Sequence, residues 1–136
     1  MNTTAPGAAT PSFATQQPFA TGAYAFSVAV SDLDGDGRPD VLVGNYLDST
    51  ISMLINTTAP GANTPSFAAQ RTFYAAYPYS VATADINGDG RPDIFVADAF
   101  VQTASVLLNT QYQATFTGSP ATGTITHDTV FADGFE

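Results

Sequence analysis

Two nine-residue stretches, DLDGDGRPD over 32–40 and DINGDGRPD over 85–93, hold seven of the chain's eleven aspartates. In each, oxygen-bearing side chains stand at loop positions one, three, five and nine, and glycine stands at four and six. A carboxylate or amide at every second position, on backbone that glycine lets curl, is how a short loop wraps a hard cation. Calcium takes roughly six to eight oxygen ligands at about 2.3–2.6 Å, and alternating Asp or Asn around a glycine turn supplies several of them.

Asp and Gly also dominate ordinary turns, for backbone reasons alone. One such loop would fit that simpler reading; two copies with the same spacing and the same trailing GRPD favour calcium. Without a cation, Asp32, Asp34, Asp36 and Asp40 would repel one another at close range. Two like charges about 4 Å apart at an effective dielectric near 20 cost on the order of 4 kcal/mol. The chain has no lysine, and Arg38 and Arg91 are the only basic residues near the loops. Each arginine could clamp an acidic ligand, but pairing with a loop carboxylate is the preferred reading. A helix–loop–helix calcium site is excluded, because it needs a bidentate Glu at position twelve where this chain has Val43 and Val96. The flanks FSVAVSDL and DVLVGNY are β-branched and aromatic, which suits strands. By the ligand pattern of helix–loop–helix sites, the position-seven backbone carbonyls, of Arg38 and Arg91, are further candidate ligands.

The loops lie inside an internal duplication. NTTAPGAATPSFATQ begins at Asn2 and NTTAPGANTPSFAAQ at Asn56, an offset of 54, while the acidic loops are offset by 53. A period near 50 with several strands per unit points to β-propeller blades rather than helical solenoids. The first unit offers strand candidates at 11–19, 26–33, 40–46 and 50–56, and the second at 66–74, 79–86, 93–100 and 104–110. Several are apolar on both faces, as in SVAV and VLV, and so belong between neighbouring sheets. The expected fold is all-β, with two four-stranded antiparallel propeller blades. The units run over about 2–55 and 56–110, and a C-terminal strand (112–118) and tail fill 111–136. The blades are staggered against the termini, as when a first strand completes a last blade.

SVAVSDLDGDGRPDVLVGN…TISMLIN and SVATADINGDGRPDIFVAD…ASVLLN resemble the FG-GAP and VCBS-type repeats of bacterial secreted proteins, the family that also builds the β-propeller of integrin alpha subunits. The resemblance covers roughly 11–110. It implies calcium held between the first two strands of each blade, and a role in adhesion or in protein or ligand recognition rather than catalysis. By match to the family's loop, Asp32, Asp34, Asp36 and Asp40 would ligate the first of two Ca2+ ions, and Asp85, Asn87, Asp89 and Asp93 the second. Asn87 departs from the pattern by replacing a charged ligand with a neutral one, so the second site is expected to be weaker.

Two blades cannot close a ring, since repeat units bury their faces on neighbours. Three arrangements are open: part of a longer propeller, a ring segment closed by further copies, and an open two-blade stack. A formal charge of −9 with three arginines argues against nucleic acid and anionic membranes, and no apolar run approaches a membrane span. There are no cysteines. Calcium loops fit a secreted or cell-surface setting, although residues 1–10 carry no charged and apolar signal segment; a truncated start would reconcile the two.

Catalysis is not expected. The one histidine, His127, lies in the tail, and the carboxylates that could serve as acid and base are assigned to calcium. A non-catalytic module of a larger secreted enzyme is one alternative. A lectin-like propeller is the other, with Tyr24, Tyr46, Tyr74, Tyr77 and Tyr79 as sugar-stacking platforms; filling of the space between blades is the preferred role for these rings. The ending TVFADGFE is similar to short terminal tails on exported bacterial proteins, and a frayed polar terminus explains it equally well. The NTT sequons at Asn2 and Asn56 are read as turns.

Overall fold

The computed structural model describes residues 1–110, in which seven strands and no helix form two antiparallel sheets. The first sheet runs in the order β1 (Ala25–Ser31), β2 (Asp40–Asn45), β3 (Thr50–Leu54) and β4 (Arg71–Tyr74). The second holds β5 (Pro78–Ala84), β6 (Asp93–Asp98) and β7 (Thr103–Leu107). Strand for strand, β5–β7 repeat β1–β3, down to a register shift near the start of the first strand at Ala25/Ser27 and at Pro78/Ser80. The all-β, blade-like expectation holds. The strand expected at 112–118, like the tail and His127, lies outside the described residues.

Two expected strands come out differently. Residues 11–19 form no strand; Phe13 makes a single antiparallel bridge to Asn2, as Phe67 does to Asn56. Of the run 66–74, only Arg71–Tyr74 is strand, and it joins the first sheet although it belongs to the second sequence unit. The physical reason is the edge on offer. β3 presents its free side to residues 71–74, whereas among the described residues no strand lies beside residues 17–20, one repeat earlier. Pro18 also stands in the place of Thr72 and brings no amide to a ladder.

Alternation along the strands sets the core. Leu42 and Ile51 on one sheet meet Val81, Ile94 and Val96 on the other, with Leu33 and Ala75 closing the ends. Burying each Leu, Ile or Val contributes roughly 1.5–3 kcal/mol. β1 lies against β5 along this seam, where the Val81 amide donates to Ser27 Oγ at 3.0 Å. Gly44 permits the close approach: a Cβ there would stand 3.1 Å from Val81 Cγ2.

One buried polar position differs between the units. Asn45 Nδ2 donates to Thr50 Oγ1 at 3.1 Å and to Ser52 Oγ at 2.7 Å. Its repeat counterpart Asp98 accepts from Thr103 and Ser105 with one carboxylate oxygen, while the other is buried without a partner. Among the described residues no cation pairs with Asp98, and a buried unpaired charge destabilises the fold. Asp98→Asn is expected to raise stability by on the order of 1 kcal/mol, read as a higher urea midpoint. An unchanged or lower midpoint would show that the carboxylate is well solvated after all.

Candidate metal centre

Each acidic loop joins the first two strands of its sheet, β1 to β2 and β5 to β6. The strands hold the loop ends together, and the glycines shape the curl: Gly37 and Gly90, at position six, both have φ 83°, a left-handed conformation that glycine adopts without steric cost.

Asp32 at position one organises the first loop. Its Oδ1 accepts the amides of Gly35 (2.8 Å) and Asp36 (3.1 Å), and its Oδ2 accepts that of Gly37 (2.8 Å). Asp85 repeats this with Gly88 (2.8 Å), Asp89 (3.1 Å) and Gly90 (2.8 Å). Two loops 53 residues apart therefore share the three amide bonds to their first aspartate.

Position nine does something that spacing did not reveal. Asp40 is fully buried, and its two oxygens accept the amides of Leu33 at 2.8 Å and Asn56 at 2.7 Å. Asp93 does the same with Ile86 at 3.0 Å and Asn109 at 2.8 Å. Each carboxylate staples the loop to the chain leaving the third strand.

Asn56 and Asn109 were likewise missed as loop supports. Asn56 Nδ2 donates to the Pro39 carbonyl at 2.9 Å, and Asn109 Nδ2 to the carbonyls of Pro92 at 3.3 Å and Leu33 at 2.8 Å. The Leu33 bond crosses between sheets. The sequence signal was an asparagine closing each third strand, in LIN and LLN. Asn2 and Asn56 also cap local turns, accepting the amides of Thr4 and Thr58 at 2.9 Å each, as expected of the NTT segments.

Carboxylate oxygens of Asp32, Asp34 and Asp40 all lie within 4.8 Å of one another. Three hard, anionic donors converging at that distance fit a divalent cation bound through oxygen, and this cluster could hold a metal ion. The structure thus brings together three of the four side chains expected at the first site. Asp36 is turned aside: it accepts the Arg38 amide at 2.8 Å and pairs with the Arg38 guanidinium. Arg38 Nε also donates to the Asn56 carbonyl at 2.9 Å. Arg91 makes the same two-ended contact, 2.6 Å to Asp89 and 3.0 Å from its Nε to the Asn109 carbonyl. Both arginines therefore pair with loop carboxylates, as expected.

In the second loop the matching positions are Asp85, Asn87 and Asp93, two carboxylates and an amide. Asn87 Nδ2 donates to Asp89 Oδ2 at 3.0 Å, a bond that has no counterpart in the first loop. The Arg91 backbone amide holds the Asp89 carboxyl below its usual pKa; desolvation opposes it, and the Asn87 amide and the Arg91 guanidinium add to the lowering.

At the opposite end of the strands, aromatic rings run across both sheets. Phe26 meets Tyr79 at 4.6 Å between centroids, Tyr46 meets Tyr77 at 5.5 Å, and Tyr77 meets Phe100 at 5.1 Å. Tyr24 joins through Phe26 and Tyr46, at 6.2 Å from each. Tyr24 and Tyr77 begin this row with left-handed backbone, φ 60° and 49°. Tyr74 stands apart on β4 and pairs with no ring among the described residues.

Repeated antiparallel sheets, each carrying an acidic loop between its first two strands, define an acidic-loop type of β-propeller repeat by architecture. The FG-GAP-like repeat matches the chain over residues 5–43 and 32–96. Together these spans cover more than half of the 136 residues, and the chain belongs to the FG-GAP-like repeat family. No curated protein and no solved structure matches it. Among the described residues no helix is long and apolar enough to cross a membrane.

Proposed function

We propose that this chain is a calcium-binding, non-catalytic module of an extracellular β-propeller, serving adhesion or the recognition of a protein or other ligand. The observation that carries the reading is the convergence of Asp32, Asp34 and Asp40 within 4.8 Å. Bound Ca2+ would supply the positive charge that this cluster lacks and would lock the first two strands of the blade together. Asp32, Asp34 and Asp40 would hold it, with Asp36 and the Arg38 carbonyl as further donors. Asp85, Asn87, Asp89, Asp93 and the Arg91 carbonyl would serve the second ion. Among the described residues, a groove of about 410 Å³ between the sheets is lined mainly by apolar side chains, among them Leu33, Met53, Ile94 and Leu107, with Arg71 as the one charged residue of its lining.

Isothermal titration of the chelator-stripped protein with calcium chloride tests this reading. Two binding events are expected, the first tighter because it has one more carboxylate. Asn87→Asp should tighten the weaker event by about tenfold, equivalent to roughly 1.4 kcal/mol. A flat titration would refute calcium binding, and equal affinities in the unmodified protein would refute the ranking of the sites.

The aromatic row favours a second reading, a carbohydrate-binding propeller. Tyr24, Tyr79 and Phe100 are exposed at the strand ends, and exposed aromatic faces stack on sugars. A glycan array on the calcium-loaded protein separates the two.

A further inference from the structure

The seam between the two sheets is a junction built from repeated parts, and the chain carries each half of it a second time. On the first sheet the inward side of β1 presents Ser27, Ala29 and Ser31 to the second sheet, which answers with Val81 and Thr83 of β5. One repeat later, Ser80, Ala82 and Ala84 occupy the places of Ser27, Ala29 and Ser31, and they face outward, exposed. One repeat earlier, Val28 and Val30 occupy the places of Val81 and Thr83 and are also exposed. Cover alone separates equivalent residues: Val81 is 6% exposed and Val28 63%, while Leu33 is 5% exposed and Ile86 53%.

We propose that a second copy of this chain covers these faces head to tail, with the β5 face of one copy on the β1 face of the next. The new seam would repeat the internal one bond for bond. Ser80 Oγ would accept the Val28 amide of the next copy, as Ser27 Oγ accepts that of Val81. Asn56 Nδ2 of that next copy would reach the Ile86 carbonyl, as Asn109 reaches that of Leu33. Tyr79 would meet the next copy's Phe26, the same pair of ring types that meets inside the chain.

Both strips are free of charge, so no ion is stranded when they close. The one mismatch is Ala97, which stands where Gly44 permits close approach; the next copy's Val28 must give way there by a few tenths of an ångström. A head-to-tail contact either closes into a ring or runs on as a filament. Propellers usually close with about four to eight blades, so two to four copies of this two-blade chain would complete one. The inference rests on the repeat geometry and is independent of which ligand the module recognises.

Light scattering behind gel filtration tests it, with the full chain at micromolar concentration in calcium chloride. A discrete species of two to four times 14.1 kDa is expected. Val28→Arg and Ala82→Arg each block one face, and both side chains point away from the internal seam, so each variant alone should be a folded monomer by circular dichroism. Mixed one to one, the two variants keep one intact pair of faces and should form a dimer that grows no further. A monomeric parent chain overturns the proposal and leaves the faces to a different occupant. So does assembly that survives Ala82→Arg while Val28→Arg abolishes it, which would mean a symmetric contact. A mixture of well-folded variants that stays monomeric also overturns it.

Discussion

Replacing Asp40 by alanine is expected to destabilise the protein by about 2–6 kcal/mol even with all divalent metal removed, because each amide taken from solvent and left without its acceptor costs roughly 1–3 kcal/mol. Two amides lose their acceptor at once, those of Leu33 and Asn56. One opens the acidic loop and the other begins the segment after β3, so the loss loosens the loop and its anchor together. Asp36→Ala is the control. It removes a carboxylate from the same loop, but one exposed and paired with a half-exposed arginine, and solvent-accessible ion pairs contribute little, about 0–1 kcal/mol. The chain has no tryptophan, so urea unfolding in chelator is best followed by circular dichroism. Equal midpoints for the two variants would remove Asp40 from its stapling role and leave it a candidate ligand only.

Calcium itself is expected to produce the second large effect. A ligand that binds only the folded state at about one hundred times its dissociation constant adds roughly 2.7 kcal/mol per site. For a chain of this size each kcal/mol moves Tm by about 3–5 °C. Two filled loops should therefore raise Tm by roughly 15–25 °C over the chelated protein. Asp32→Ala should remove about half of that rise, and it should also lower the chelated baseline, since Asp32 accepts three loop amides. The informative quantity is the difference between calcium and chelator for each variant, which cancels the baseline. A Tm indifferent to chelator would refute the proposed calcium role and leave Asp32 as a turn former alone.

The two loops were legible because everything that shapes them is local. Asp32 and the three amides it accepts lie within six consecutive residues, so their spacing in sequence is already their geometry. β1, β2 and β3 were legible for a similar reason, since β-branched runs between turn residues announce themselves at short range. β4 was not. The run 66–74 looked like a whole strand of its own unit, yet only its last four residues are strand, and they belong to the sheet before. The choice was made by the open edge of β3, a partner many residues away, and local pattern carries no record of such a partner.

The candidate site divides along the same line. Residue types and spacing alone determined an acidic loop curled by glycine and its duplication, and made pairing of Arg38 and Arg91 with carboxylates the preferred of two readings. Only the tertiary structure decided that Asp36 turns to Arg38 while Asp32, Asp34 and Asp40 converge, and that Asp40 is a buried fastener. It alone brought Tyr24, Phe26, Tyr46, Tyr77, Tyr79 and Phe100 into one row, and left Val28 bare where its twin Val81 is covered. Twin residues in a repeat have the same neighbours along the chain, so what distinguishes them is which sheet face lies opposite, and that is set only once the sheets stack.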